Sequence, residues 1–303
     1  MAAIDQKHFQ DEAEAFSYLE GVRWPNGSVC PHCGTIGTAY GLSSRVGLYR
    51  CGEKECRKDF TVRVGTVFED SPIKLHKWLL AAYLVCASKK GISAKQLERM
   101  LGVTYKTAWF MSHRLREAMN ATPDGRMGGD GGPVEVDETY WGNVGKQKPG
   151  ARGGDHKMKI VSLVDRSSGE KRSIHVPEVT AATLKPILIQ HVSRDARLMT
   201  DDSKVYAKLG GRFVAHETVN HTEKEYARGD VTTNTVEGSF GLLKRGLVGT
   251  FHSVSEKHLQ RYCVEFDFRW NNRIKLGVDD VQRTRNLLAG IGGKRLTYRR
   301  LDS

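Results

Sequence analysis

Residues 134–142 read VEVDETYWG. Valines alternate with acidic residues, and an aromatic pair precedes a glycine. That period-two pattern is a β-strand with one apolar face, and Asp137 stands near its end. The same arrangement recurs at RLMTDDSKVY, where a short apolar stretch runs into Asp201. A third acidic residue, Glu237, lies in NTVEGSFGLLKRG, which has a helical rather than a strand pattern. Lys244 follows it by seven residues, on the same helical face. Two strand-end carboxylates and one borne on a helix are the parts of an oxygen-ligand cage for Mg²⁺ or Mn²⁺. Metal ions held in this way suit phosphoryl chemistry on nucleic acid. At each position a neighbour competes: Glu138 with Asp137, Asp202 with Asp201, and Asn234, one turn earlier on the same face, with Glu237.

Outward from this stretch, KIVSLVD (159–165) and KRSIHVPE (171–178) read as a strand pair. TAATLKPILIQHV (180–192) reads as a helix capped by Thr180, and ARLMTD (196–201) and GRFVAHETV (211–219) read as strands. Residues 233–245 and 255–270 carry helical periodicity. The order predicts a mixed sheet flanked by helices, an α/β layer architecture. YCVEFDFRWNNR (262–273) is either a DNA-contacting segment or a buried helix end. His216, His221 and His252 are expected to make hydrogen bonds or phosphate contacts rather than hold metal.

Upstream, CPHCG and YRCGEKECRKDF place Cys30, Cys33, Cys51 and Cys56 in two close pairs. Four thiolates so spaced form a tetrahedral structural Zn²⁺ site, a zinc ribbon. The second pair has four intervening residues where two are commoner, and His32 inside the first knuckle is not counted as a ligand. Cys86 and Cys263 lie in apolar helical surroundings and read as core. Residues 5–22 show Phe9, Ala13, Phe16, Leu19 and Val22 at helical spacing.

Residues 91–119, GISAKQLERMLGVTYKTAWFMSHRLREAM, predict two helices capped by Ser93 and Thr104 and joined at Gly102. This is the pattern of a helix-turn-helix. Its second helix would offer Tyr105, Lys106, Trp109, His113, Arg114 and Arg116 to bases and phosphates. Lys244 and Arg245 would add phosphate contacts.

The charge distribution agrees. The net charge is +12, and residues 71–122 contribute 9 Lys+Arg against 2 Asp+Glu. A basic excess so concentrated favours an anionic partner, double-stranded DNA first. No apolar run approaches the ~20 residues of a membrane span, and no signal peptide is evident at the N-terminus. A cytoplasmic, nucleoid-associated protein without membrane contact is expected, with clustered cysteines as metal ligands rather than disulfides.

The boundaries follow from composition: an N-terminal helix and zinc ribbon at 1–70, a helix-turn-helix domain at 71–122, a Gly-rich linker at 123–133 (PDGRMGGDGGP), a catalytic domain at 134–273, and a basic tail at 274–303.

From about Trp24 to Arg273 the chain resembles the DDE-type transposases of bacterial insertion sequences, in the branch numbered 1595. The resemblance rests on CPHCG with YRCGEKECRKDF, GTVFEDSPIKLHKWLLA, VEVDETYWGN and TDDSKVY. Its most specific part is NHTEKEYARGDVTTNTVEGSFGLLKRGLVGTFHSVSEKHLQRYCVEFDFRWNNR. It implies an RNase H-like catalytic domain, Mg²⁺ dependence, binding of an element's terminal inverted repeats, and cleavage and strand transfer of its ends. It also implies work as a homodimer or higher oligomer on element and target DNA. Asp137 and Asp201 match the family's first two acidic positions and Lys244 its later basic position; the third ligand is Asn234 or Glu237. A non-catalytic DNA-binding regulator and a metal-dependent nuclease that does not join DNA are the alternatives.

Overall fold

The computed structural model describes residues 3–121, 125–144, 154 and 156–297. It divides into two compact units, Met1–Ala121 with Arg273–Ser303, and Thr122–Asn272.

In the first unit, helix α1 (Glu12–Arg23) starts where Asp11 accepts the Glu14 amide at 2.9 Å. That cap separates it from a single 3-10 turn at Lys7–Phe9, so the continuous periodicity expected over 5–22 is interrupted. The buried face of α1 is Ala15, Phe16 and Leu19, while Ala13 is exposed. Three two-residue strands follow, β1 (Tyr40–Gly41), β2 (Tyr49–Arg50) and β3 (Asp59–Phe60), paired antiparallel in that order. Trp24, Tyr49 and Phe60 pack beside the buried Cys30 and Cys51. Strands this short need an added staple to persist, and the cysteines are placed to supply one.

Helices α2 (Leu75–Ala87), α3 (Ala94–Leu101) and α4 (Tyr105–Met119) complete the N-terminal part of this unit. Glu12 caps α2 from outside, accepting the Leu75 and His76 amides at 2.8 and 3.1 Å. Ser93 and Thr104 cap α3 and α4, each side chain accepting the amide three residues on. Gly102 ends α3 in the left-handed region at φ 59°, where a side chain would be strained.

In the second unit, β4 (Pro133–Trp141), β5 (Met158–Asp165), β6 (Lys171–Val176), β7 (Arg197–Asp201) and β8 (Ala215–Val219) form one sheet in the order β6-β5-β4-β7-β8. The β4–β5 and β5–β6 pairs are antiparallel, and β4–β7 and β7–β8 are parallel. Helix α5 (Ala181–His191) covers one face, where Leu184 and Leu188 meet Val134, Val136, Val161, Leu163 and Leu198. The other face takes α7 (Asn234–Gly246) and α8 (Glu256–Asn271). There Met158 and Ile160 meet Leu243, Leu259, Cys263 and Phe266, and Val164 meets Val236 and Phe240. Each such aliphatic burial contributes about 1.5–3 kcal/mol. A short helix α6 (Lys204–Ala207) and a two-stranded ribbon, β9 (Ala227–Arg228) with β10 (Val231–Thr232), fill the remaining connections.

The Gly-rich stretch behaves differently from a free linker. Pro123 and Asp124 lie outside the described residues. From Gly125 onward the chain is built into the second unit: the Met127 amide donates to His191 O at 2.8 Å, and the Gly128 amide donates to Asp165 Oδ2 at 2.9 Å. Gly128 lies in the left-handed region at φ 74°, and a Cβ on it would fall 2.5 Å from that of Ala196, so backbone conformation and close approach both require this glycine.

The C-terminal segment is likewise not an appendage. Helix α9 (Asp280–Ala289) buries Leu287 and Leu288, and the Val67 amide donates to Ile291 O at 3.1 Å. Residues 298–303 of the expected basic tail, and residues 145–153 and 155 of the basic loop after β4, lie outside the described residues.

Candidate active site

Strand β4 decides which side chains face which helix. Val134, Val136 and Glu138 point to the α5 face; Glu135, Asp137 and Thr139 point to the α7 face. The parallel pairing of β4 with β7 sets Val134 against Leu198 and Glu135 against Met199. Extended two residues, that register sets Asp137 level with Asp201, just past the last β4–β7 pair. Asp201 ends β7, but Asp137 is mid-strand and paired with Ser162 of β5, which corrects the expectation that it ends its strand. Leu198 belongs to the α5-side core, so the alternation puts Asp201 on Asp137's side of the sheet.

The three acidic residues act on one another. Burial is the main force pushing the Asp137 carboxyl up to about 7, with further upward pressure from the charges of Glu138, Asp201 and Glu237 and opposition from the Glu138 amide. Burial also raises Asp201; the Ser203 amide and His221 oppose it, while Asp202 and Glu237 add to it. Glu237 sits on the first turn of α7 and accepts a hydrogen bond from Thr233 Oγ1 at 2.7 Å, with His221 Nε2 at 3.3 Å. The charge of Glu237 therefore adds, as the smallest of the contributions, to the upward pressure on both aspartates. Asn234 begins α7, exposed, and its backbone amide donates to Thr232 Oγ1.

The competitor Glu138 is otherwise engaged. Tyr206, buried in the α5-side core, donates its hydroxyl to Glu138 at 2.7 Å. Lys244 and Arg245 are exposed on the last turn of α7, two turns beyond Glu237. His216 bonds with Thr200 at 2.9 Å and His252 is exposed at φ 59°. In the segment 262–273, Tyr262, Cys263, Phe266 and Arg269 are buried, the helix-end alternative of the two sequence readings.

Glu135 was not among the residues singled out from sequence. Its side chain is fully buried, and one oxygen, Oε2, accepts the Thr235 amide at 2.8 Å and the Val236 amide at 2.9 Å. The available signal was the alternation itself, which sets a carboxylate at an inward position two residues before Asp137.

A second cluster lies in the first unit. The ligand atoms of Cys30, Cys33, Cys51 and Cys56 all fall within 4.8 Å of one another. They are the tightest such group among the described residues, gathered more closely than the carboxylates. Contacts with Thr35 are the chief cause holding the Cys33 thiol down to about 6, whereas burial pushes Cys51 up to about 12. The departure in spacing of the second pair is absorbed by the turn at residues 54–56, and the four-sulfur set is complete.

The six side chains expected to face DNA from α4 do not share one surface. Tyr105 is 51% exposed and Lys106 is exposed, with Trp109 half-buried against His113. His113, Arg114 and Arg116 are buried. Arg114 donates to the carbonyls of Val67, Glu69 and Leu296, so it ties its own unit together. Helical spacing beyond the first turn carries those residues onto the packed face, which corrects the expectation of a six-residue contact set.

Residues 130–271 match the ISXO2-like transposase domain, and residues 10–59 match the transposase zinc-ribbon domain. A protein in the transposable element ISH50 of Halobacterium salinarum is 31% identical over 279 residues, covering 87% of this chain and 92% of its own.

The chain belongs to the ISXO2-like transposase family.

A transposase-like protein of Haemophilus influenzae is 29% identical over 100 residues, 33% of this chain and 80% of its own. Among solved structures, the simian T-cell lymphotropic virus intasome in complex with PP2A regulatory subunit B56 gamma is matched at TM-score 0.29 and 16% identity, over 56% of this chain and 63% of that one, a likeness too loose to argue from. Within the transposase-family chain the zinc-ribbon match contains all four clustered cysteines, and the transposase-domain match contains Asp137, Asp201 and α7. No helix among the described residues is long and apolar enough to cross a membrane.

Proposed function

We propose that this chain is an active DNA transposase that binds the terminal inverted repeats of an insertion sequence, cleaves at its ends and joins them to target DNA. The observation that carries the reading is the placement of Asp137 and Asp201 level on neighbouring strands, on the sheet face covered by α7, which bears Glu237. The sheet order, with three parallel strands at one side and two antiparallel strands at the other, supports an RNase H-like assignment for the second unit.

The donor set fits divalent metal. It is built of hard carboxylate oxygens, and burial, with the neighbouring like charges adding to it, lifts Asp137 far above the ordinary range, a cost that a bound cation would relieve. Asp137, Asp201 and Glu237 would hold Mg²⁺ or Mn²⁺, which would supply charge to activate the attacking oxygen and stabilise the leaving one. In the first reaction a water oxygen bonds to phosphorus at the element's end and the 3′-oxygen leaves as a hydroxyl. In the second, that hydroxyl attacks a target phosphodiester and displaces a target 3′-hydroxyl. Thr233 and His221 orient Glu237, and Lys244 and Arg245 meet backbone phosphates. Of the two candidates for the third acidic position, Glu237 is favoured because its charge bears on both aspartates.

The four cysteines would hold structural Zn²⁺. Helices α3 and α4 would act as a helix-turn-helix presenting Tyr105 and Lys106 to the major groove. Cutting two ends together calls for at least a dimer on DNA, working at the nucleoid.

The test is strand transfer by the purified full chain on labelled element ends with target plasmid and Mg²⁺. Joined product from wild type, lost in Asp137→Asn and Asp201→Asn, supports the transposase. Nicks without joining would establish a nuclease instead. End binding without either product would leave a regulator.

A further inference from the structure

Thr233 occupies the N-cap position of α7, yet its hydroxyl makes no cap bond. It donates to Glu237 instead. The free amides at the start of a helix still need acceptors. They find one outside the helix, in Glu135 Oε2, which takes both Thr235 and Val236. Glu135 lies on β4, two residues before Asp137 and on the same face, and its side chain is fully buried. Its other oxygen stands 3.6 Å from Arg166 Nε and makes no hydrogen bond among the described residues.

A buried carboxylate is costly unless it is paired and bonded. A helix start can be capped by a neutral serine or asparagine at no such cost. What an in-helix cap cannot do is tie the helix to a strand. We infer that Glu135 is a positioning residue that fixes the helix bearing Glu237 against the strand bearing Asp137, and so sets the spacing of the two carboxylates. The inference rests on the proposed metal site, and Glu135 itself touches neither metal nor DNA. Both bonds converge on a single oxygen, so an amide oxygen in that place would serve as well. A side chain one methylene shorter would fall short of both amides.

The experiment compares Glu135→Gln, Glu135→Asp and Glu135→Val in the full chain. Amide exchange of residues 233–238 without metal, Mg²⁺-dependent thermal stabilisation and strand transfer are measured on each. Glu135→Gln is expected to match wild type in all three. Glu135→Asp and Glu135→Val are expected to exchange faster at 233–238 and to need about 10–100-fold more Mg²⁺, with end binding unchanged. Wild-type exchange and Mg²⁺ dependence in Glu135→Asp would overturn the proposal, as would a Glu135→Gln variant as impaired as Glu135→Val. If Glu135→Val does not fold, the other two variants still decide. If wild type shows neither Mg²⁺ stabilisation nor joining, the proposed function fails, while exchange at 233–238 still reports whether Glu135 holds the helix.

Discussion

The hydroxyl of Tyr206 donates to the carboxylate of Glu138 at 2.7 Å, and Tyr206 is itself buried in the core between the sheet and α5. Asp137 and Glu138 are adjacent in sequence, but this bond holds Glu138 on the opposite side of the strand from α7. Glu138→Gln is therefore expected to keep strand transfer within about threefold of wild type, since an amide oxygen still accepts from Tyr206. Asp137→Asn should reduce transfer by at least about a hundredfold, the scale of losing a buried charge-stabilising group. Single-turnover joining assays on both variants check this, and equal losses would count against the assignment.

Without metal, the raised Asp137 carboxyl makes stability depend on pH in a defined direction. The group ionises near its ordinary value when unfolded but at about 7 when folded. The folded protein thus holds the extra proton, and its stabilising effect is complete below about pH 4 and lost as pH rises through about 7. In EDTA, thermal denaturation should show lower stability at about pH 8 than at about pH 5, and Asp137→Asn should remove on the order of 2–4 kcal/mol of that difference. Because ions compete with the same proton, Mg²⁺ affinity should rise over the same interval. A metal-free Asp137→Asn variant less stable than wild type at the higher pH would contradict this.

Glu237 and Asn234 separate by their surroundings. Glu237 is half-buried, held by Thr233 and charged, adding to the upward pressure on both aspartates, whereas Asn234 is exposed at the helix start. Glu237→Gln is expected to cost about a hundredfold or more in joining and Asn234→Ala about tenfold or less. Mg²⁺ titration followed by joining distinguishes them. A larger loss in Asn234→Ala would hand it the third position.

Arg114 and Lys106 lie on one helix and should fail differently. Arg114 holds three carbonyls of its own unit, so Arg114→Ala is expected to destabilise that unit by about 2–4 kcal/mol. Lys106 is exposed, so Lys106→Ala should leave stability within about 0.5 kcal/mol. It should weaken end binding and, if it meets a phosphate, lower the salt slope by about 1. Denaturation and salt-dependent binding curves decide, and a stable Arg114→Ala variant defective only in base preference would reverse the assignment.

Much of this was legible in the chain because the information was local. Strand and helix periods, the caps at Ser93, Thr104 and Thr180, the paired cysteines and the apolar stretches ending at Asp137 and Asp201 each depend on neighbours within a turn or a strand. Those patterns suffice for the α/β order and for the candidate acidic residues. What they cannot convey is which of two adjacent or near groups a distant element selects. The Gly-rich stretch looked like a linker because glycine signals both freedom and close approach, and only the tertiary surroundings, the bonds of Met127 and Gly128 and the lack of room for a Cβ at Gly128 beside Ala196, separate the two. Arg114 looked like a DNA contact because its charge is visible in sequence and its burial is not. Tyr206 removing Glu138 and Glu135 tying α7 to β4 join residues between 68 and 101 positions apart. Such pairings come into being only when the sheet forms, so the sequence by itself determined the candidate residue types and their strands, and the tertiary structure decided which carboxylates face the same side of the sheet.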